Sequence, residues 1–172
     1  MSTLILEPET TAWIDFQDCD PFGHLNNAKY LNYIMQARTL QLKQFYDFDI
    51  YAHTQKTGNG WVVGTTQISY LMPARYNETV RIQTRLLHAD NFRIVPEAVM
   101  TSADGTKTHA IAWVEFIYVN TAKGRPTKHE NELSAFLQSL VVPGIAWKSQ
   151  DFQQRVRDLQ KQLRKREADT AA

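Results

Sequence analysis

The chain has 172 residues, 43% of them apolar and 22% charged, and a formal charge of +1. That length can bury the core of one ordinary domain, and the near-average composition argues against both disorder and a membrane class. The balanced charge gives no global field directed at nucleic acid, and no apolar run nears the roughly 20 residues of a spanning helix.

The start, Met1 to Trp13, lacks the basic, apolar and small-residue pattern of a secretory signal, so a cytoplasmic protein without membrane insertion is expected. Cys19 is the single cysteine, which excludes an internal disulfide framework and a cysteine-based zinc site.

In chain order, Thr11 to Phe16 (TAWIDF) is rich in aromatic and β-branched residues, alternates Trp13/Asp15 with Ile14/Phe16, and predicts a short strand. The following QDCDPFGHLNN is crowded with turn formers. The period then changes from two to about 3.6. Tyr30, Leu31, Ile34, Met35, Arg38, Leu42 and Phe45 mark one face of a helix of roughly five turns, capped by Asn26 or Asn27.

Four strands are predicted next. Trp61 to Leu71 ends at the turn Met72-Pro73-Ala74-Arg75, and Thr79 to His88 alternates apolar with polar residues. Phe92 to Thr101 contains Pro96, which removes a ladder donor and implies an edge or a bulge. Asp104-Gly105 marks a hairpin turn. Lys107 to Val119 is apolar on both faces around Glu115, as in a covered central strand. Helices are expected at Glu130 to Leu140 and from Asp151 to about Glu167. One long helix cannot cover both faces of such a sheet, so a further layer is required, most simply a second copy of the chain.

The chemistry concentrates in Asp18-Cys19-Asp20-Pro21-Phe22-Gly23-His24-Leu25-Asn26-Asn27. This loop runs into the N-terminus of the longest helix, where free N–H groups and a partial positive charge suit an oxygen that gains negative charge. A carboxylate just upstream supplies the other half of thioester hydrolysis, attack on the carbonyl carbon or activation of water. Gly23 permits the sharp turn. The competing reading of an Asp-rich turn before a helix is a cap and dipole complement.

The segment D-C-D-P-F-G-H-L-N-N-A-K-Y-L resembles the signature of hotdog-fold acyl-CoA thioesterases related to 4-hydroxybenzoyl-CoA thioesterase. The likeness runs from Thr11 to about Leu137 and includes the turn Tyr70 to Tyr76 (YLMPARY). It implies an α+β hotdog fold in which a five-stranded antiparallel sheet wraps a long central helix. A hotdog domain would span residues 1–140, followed by a C-terminal helical extension, 141–172. The resemblance makes Asp20 the catalytic carboxylate, as nucleophile or general base. It makes the Asn27 backbone N–H the donor to the thioester carbonyl, with Gly23 and His24 shaping the loop. It implies an acyl-CoA substrate, no cofactor or metal, and a homodimer or dimer of dimers with each site at a subunit interface.

Other residues read less sharply. Asp18 fits a structural role, bonding loop amides. His24 reads as an acid, a substrate contact or a packing group. Cys19 lies between two carboxylates that disfavour its thiolate. Arg38 and Glu115 suggest interior or interfacial charges, paired with each other or elsewhere. Arg75, Arg85, Arg93 and Lys128 are candidates for Coenzyme A phosphates, although each alone reads first as a solvated surface charge. From Asp151 onward, Arg155, Arg157, Lys161, Arg164, Lys165 and Arg166 outweigh four acids, and Phe152, Val156, Leu159 and Leu163 form a short seam. That seam is expected to pack on its own domain or on a neighbouring subunit. Two competing functions are a non-catalytic acyl-CoA sensor and a hotdog dehydratase; the latter lacks the expected His–carboxylate pair.

Overall fold

The computed structural model describes residues 4–170, with side chains described as far as residue 162. Five long strands form one antiparallel sheet: β1 (Glu9–Trp13), β2 (Asn59–Tyr70), β3 (Thr79–Ala89), β4 (Arg93–Ser102) and β5 (Thr108–Asn120). Their spatial order is β1-β3-β4-β5-β2, and the two-residue β6 (Arg125–Pro126) is added beside β5. The central helix α1 (Asn27–Tyr46) is followed by α2 (Ile50–Thr57), α3 (Asn131–Leu140) and α4 (Phe152–Thr170). This is the hotdog arrangement expected from the resemblance. No helix of the described residues is long and apolar enough to cross a membrane.

Strand alternation explains the layers. Ala110, Ala112, Val114, Phe116 and Tyr118 of β5 face inward, with Tyr30, Tyr33, Ile34 and Ala37 of α1 and Leu133 and Leu137 of α3 in the cores on that side. Ile111 and Trp113 face outward into a second core with Val99, Val142, Phe152, Val156 and Leu159. The outer layer is therefore supplied by α4 of the same chain. Each buried side chain of this kind contributes about 1.5–3 kcal/mol. The seam packs on its own domain as far as Leu159; the side chains of Leu163, Arg164, Lys165 and Arg166 lie outside the described residues.

Several expectations change. β1 ends at Trp13 because Asp15 turns the chain: its carboxylate accepts from the Gln17 N–H at 2.9 Å, and Phe16–Asp18 forms a 3-10 turn. β4 is an inner strand, so Pro96 does not mark an edge. The alternative holds: the β3–β4 register slips between Leu86↔Pro96 and His88↔Val95. α2 was not anticipated. Arg38 and Glu115 do not pair. Glu115 faces away from α1 and meets Arg93 at 3.5 Å, whereas Arg38 lies 4.3 Å above the ring of Phe116 on the inner side.

Candidate active site

The loop before α1 is a narrow hairpin. The Asp20 N–H donates to the His24 carbonyl at 2.7 Å, Cys19 bridges to Leu25, and the Asn26 N–H donates to the Asp18 carbonyl at 2.9 Å. Gly23 turns the tip at φ +74°, a conformation that costs a side-chain-bearing residue strain. Its carbonyl accepts from the Tyr76 N–H at 2.9 Å.

Asp20 is half-buried and uses one carboxylate oxygen on its own loop. Oδ1 accepts from the N–H groups of Phe22 at 2.9 Å and His24 at 3.0 Å. Oδ2 has no hydrogen-bond partner among the described residues. Asn26 is the cap of α1, its side chain accepting from the Ala28 N–H at 3.0 Å. The next residue, Asn27, is exposed, and its N–H reaches no acceptor among the described residues. The loop thus leaves one carboxylate oxygen open, and the helix leaves one amide open at its positive end.

Asp18 takes the structural role. It pairs with the Lys29 ammonium at 2.9 Å and accepts from the Tyr33 hydroxyl at 2.9 Å. The Lys29 hydrogen bond, followed by that from Tyr33, holds its carboxyl below the usual range. Burial, then the carboxylates of Asp20, Asp18 and Asp15, push the Cys19 thiol up, so its thiolate is disfavoured. Behind the loop stands the turn after β2. The Leu25 N–H donates to the Ala74 carbonyl at 2.8 Å, His24 bridges to Arg75, and the Ala74 N–H donates to the buried Tyr30 hydroxyl at 3.0 Å. The Tyr70 hydroxyl donates to the Asn27 carbonyl at 2.9 Å.

With the loop and helix in view, comparison with known proteins becomes informative. The family model described as the thioesterase-like superfamily matches residues 14–137. The chain belongs to this superfamily. The class of chemistry follows from membership: thioester cleavage. The matched thioesterase-like span ends within α3, leaving α4 outside it. No curated protein matches the sequence.

Solved structures share the fold. The probable thioesterase YbaW from Escherichia coli superposes with a TM-score of 0.67 at 22% identity, covering 78% of this chain and 98% of that one. A DHNA-CoA thioesterase from Staphylococcus aureus gives 0.70 at 18%, covering 78% and 92%. A 1,4-dihydroxy-2-naphthoyl-CoA thioesterase from Synechocystis gives 0.70 at 12%, covering 80% and 99%.

Asp20, Gly23, His24 and Asn27 therefore lie in one loop-to-helix junction of a thioesterase-like protein. His24 enters through its backbone; its imidazole makes no hydrogen bond among the described residues. The supporting residues Lys29, Tyr30, Tyr33 and Tyr70 were missed as site components, although three of the four lie on the first turns of α1. Of the candidates for Coenzyme A phosphates, Arg85 is engaged by Glu7, Gln83 and Glu97, and Arg93 by Asp90 and Glu115. Arg75 and Lys128 are exposed and make no side-chain ion pair among the described residues.

Proposed function

We propose that this protein hydrolyses an acyl-CoA to the free acid and Coenzyme A, with Asp20 as nucleophile or general base and the Asn27 N–H as donor to the thioester carbonyl. The observation that carries this reading is that two groups at the loop-to-helix junction, the Asp20 Oδ2 and the first amide of α1, have no partner among the described residues. An amide at a helix start stabilises the oxyanion as the carbonyl carbon becomes tetrahedral. By the nucleophilic route Oδ2 adds to that carbon, the Coenzyme A thiolate leaves, and water cleaves the resulting anhydride. By the general-base route Oδ2 takes a proton from water as its oxygen adds, and the thiolate leaves with a proton. Both routes consume one water and need no cofactor. Two of the structural neighbours are CoA thioesterases, which favours a Coenzyme A thioester as substrate.

The working form is a homodimer or a dimer of dimers. β2 is a sheet edge with no strand partner on its outer side among the described residues, and Val62 and Val63 on it are half-exposed. An open strand edge of this kind is a template for another strand, and a second copy of β2 would continue the sheet across two chains.

The test is thiol release from a panel of short, long, branched, aromatic and charged acyl-CoAs by the wild type and by Asp20→Asn. The amide oxygen of Asn can still accept from Phe22 and His24, so the loop is kept while the charge is lost. Turnover is expected to fall at least about a hundredfold. Undiminished turnover would remove Asp20 from catalysis, and ligand-induced thermal stabilisation without thiol release by the wild type would favour an acyl-CoA sensor.

A further inference from the structure

A cavity lies away from the loop, where α1 passes over β3 and β4. It has a volume of about 60 Å³, and Leu6, Arg38, Leu42, Ile94 and Leu137 are among its mainly apolar walls. Arg38 is only 9% exposed, and among the described residues its guanidinium makes no hydrogen bond or ion pair. The face of Phe116 lies 4.3 Å from the guanidinium carbon. Burial alone lowers its pKa to about 10, so it remains charged at neutral pH. A buried cation without a counter-charge is strongly disfavoured.

The neighbouring polar groups cannot neutralise it. Gln41, the other polar residue of α1 on this wall, is neutral and committed elsewhere: its Nε2 donates to Thr10 Oγ1 and to the Ile82 carbonyl, and its Oε1 accepts from Thr84. Arg85 also lines the cavity but is itself a cation, committed to Glu7, Gln83 and Glu97. The Tyr46 hydroxyl donates to the Ile5 carbonyl at 2.5 Å. No carboxylate lines this cavity.

We propose that this cavity is a binding site for a small monovalent anion, a halide or a short carboxylate, held by the Arg38 guanidinium. One water needs roughly 10–15 Å³, so the space fits an ion of that class. An anion would balance the buried Arg38 charge and would pin α1 to β3 and β4. Arg38 lies eleven residues into α1 from Asn27, roughly 17 Å along its axis. The site is thus separate from the loop, and the inference stands without the catalytic assignment.

The experiment has two arms. Crystals of the wild-type protein in sodium bromide are examined by anomalous scattering, with and without acetate in excess. A bromide peak within hydrogen-bond reach of the Arg38 guanidinium is expected. Its displacement by acetate assigns carboxylates as well as halides; persistence restricts the site to halides. In parallel, Tm is followed at constant ionic strength as chloride or acetate replaces a bulky anion such as gluconate. A saturable rise is expected in the wild type and its loss in Arg38→Met, which keeps the length of the side chain without the charge. Water alone in the cavity under bromide overturns the proposal, as does an equal rise in Arg38→Met. Should that variant fail to fold, the scattering result on the wild type decides alone.

Discussion

Two carboxylates of this chain have opposite surroundings. Glu97, on the outer face of β4, is fully buried. Its oxygens accept from Arg155 Nε and a second Arg155 nitrogen, both at 2.8 Å, and from the Trp113 indole N–H at 2.9 Å. Arg85 Nε stands 3.3 Å away as a further charge but lacks the alignment of a hydrogen bond. Asp20, at the loop tip, satisfies only one oxygen and leaves the other open. Acceptor saturation, more than burial, separates a carboxylate that clamps structure from one free to react. Glu97 joins α4 to the sheet, whereas Asp20 holds its loop with half of its group and presents the other half.

The contrast can be broken by exchanging each carboxylate for its amide. Glu97→Gln leaves Arg155 and Arg85 without their buried counter-charge and is expected to cost about 3 kcal/mol of stability. Denaturant unfolding measures this, while turnover per folded molecule should stay near that of the wild type. Asp20→Asn should do the reverse, losing about a hundredfold in turnover with stability changed by less than about 1 kcal/mol. If both variants lose stability alone, the distinction between the two groups disappears.

Smaller effects sharpen the picture of the loop. Gly23→Ala places a Cβ at φ +74° with no neighbouring atom in its way, so backbone strain alone acts. About 1 kcal/mol of destabilisation is expected, with turnover falling because the hairpin carrying Asp20 shifts. Calorimetry and thiol release on the same sample would separate the two. Smallest is the pH response of Asp18. Its pKa is lowered in the folded chain by Lys29 and then Tyr33. Its contribution is therefore present above the unfolded carboxylate value, about 3.9, and is lost as pH falls through the folded value. Asp18→Asn should flatten that acid limb of a Tm-against-pH profile.

Much of the fold was legible because its signals are local. The switch from alternation to a 3.6 period placed the start of α1 within a residue of Asn27, and the doubly apolar run around Trp113 identified the inner strand. α2 escaped because none of its residues is fully buried, so no apolar stripe exists to read. Its boundaries were nevertheless written in Asp49, whose side chain accepts from the Ala52 N–H, and in Gly58 at φ 69°. For the loop, residue types and order were readable. The support from Tyr30, Tyr33 and Ala74 was not, because those contacts depend on elements brought together only by folding. The separation of Arg38 from Glu115 by the sheet also lay beyond a one-dimensional pattern, although strand parity already assigned Glu115 and Phe116 to opposite faces.

The docking of α4 has a consequence for synthesis. The five long strands are complete by Asn120, yet the side chains that cover Ile111 and Trp113 come later, at Val142, Phe152, Val156 and Leu159. A ribosome adding about 5–20 residues per second leaves an interval in which a finished sheet has an oily back open to other chains. Made after the sheet, α4 therefore acts as a closing shutter, and Arg155 latches it onto Glu97.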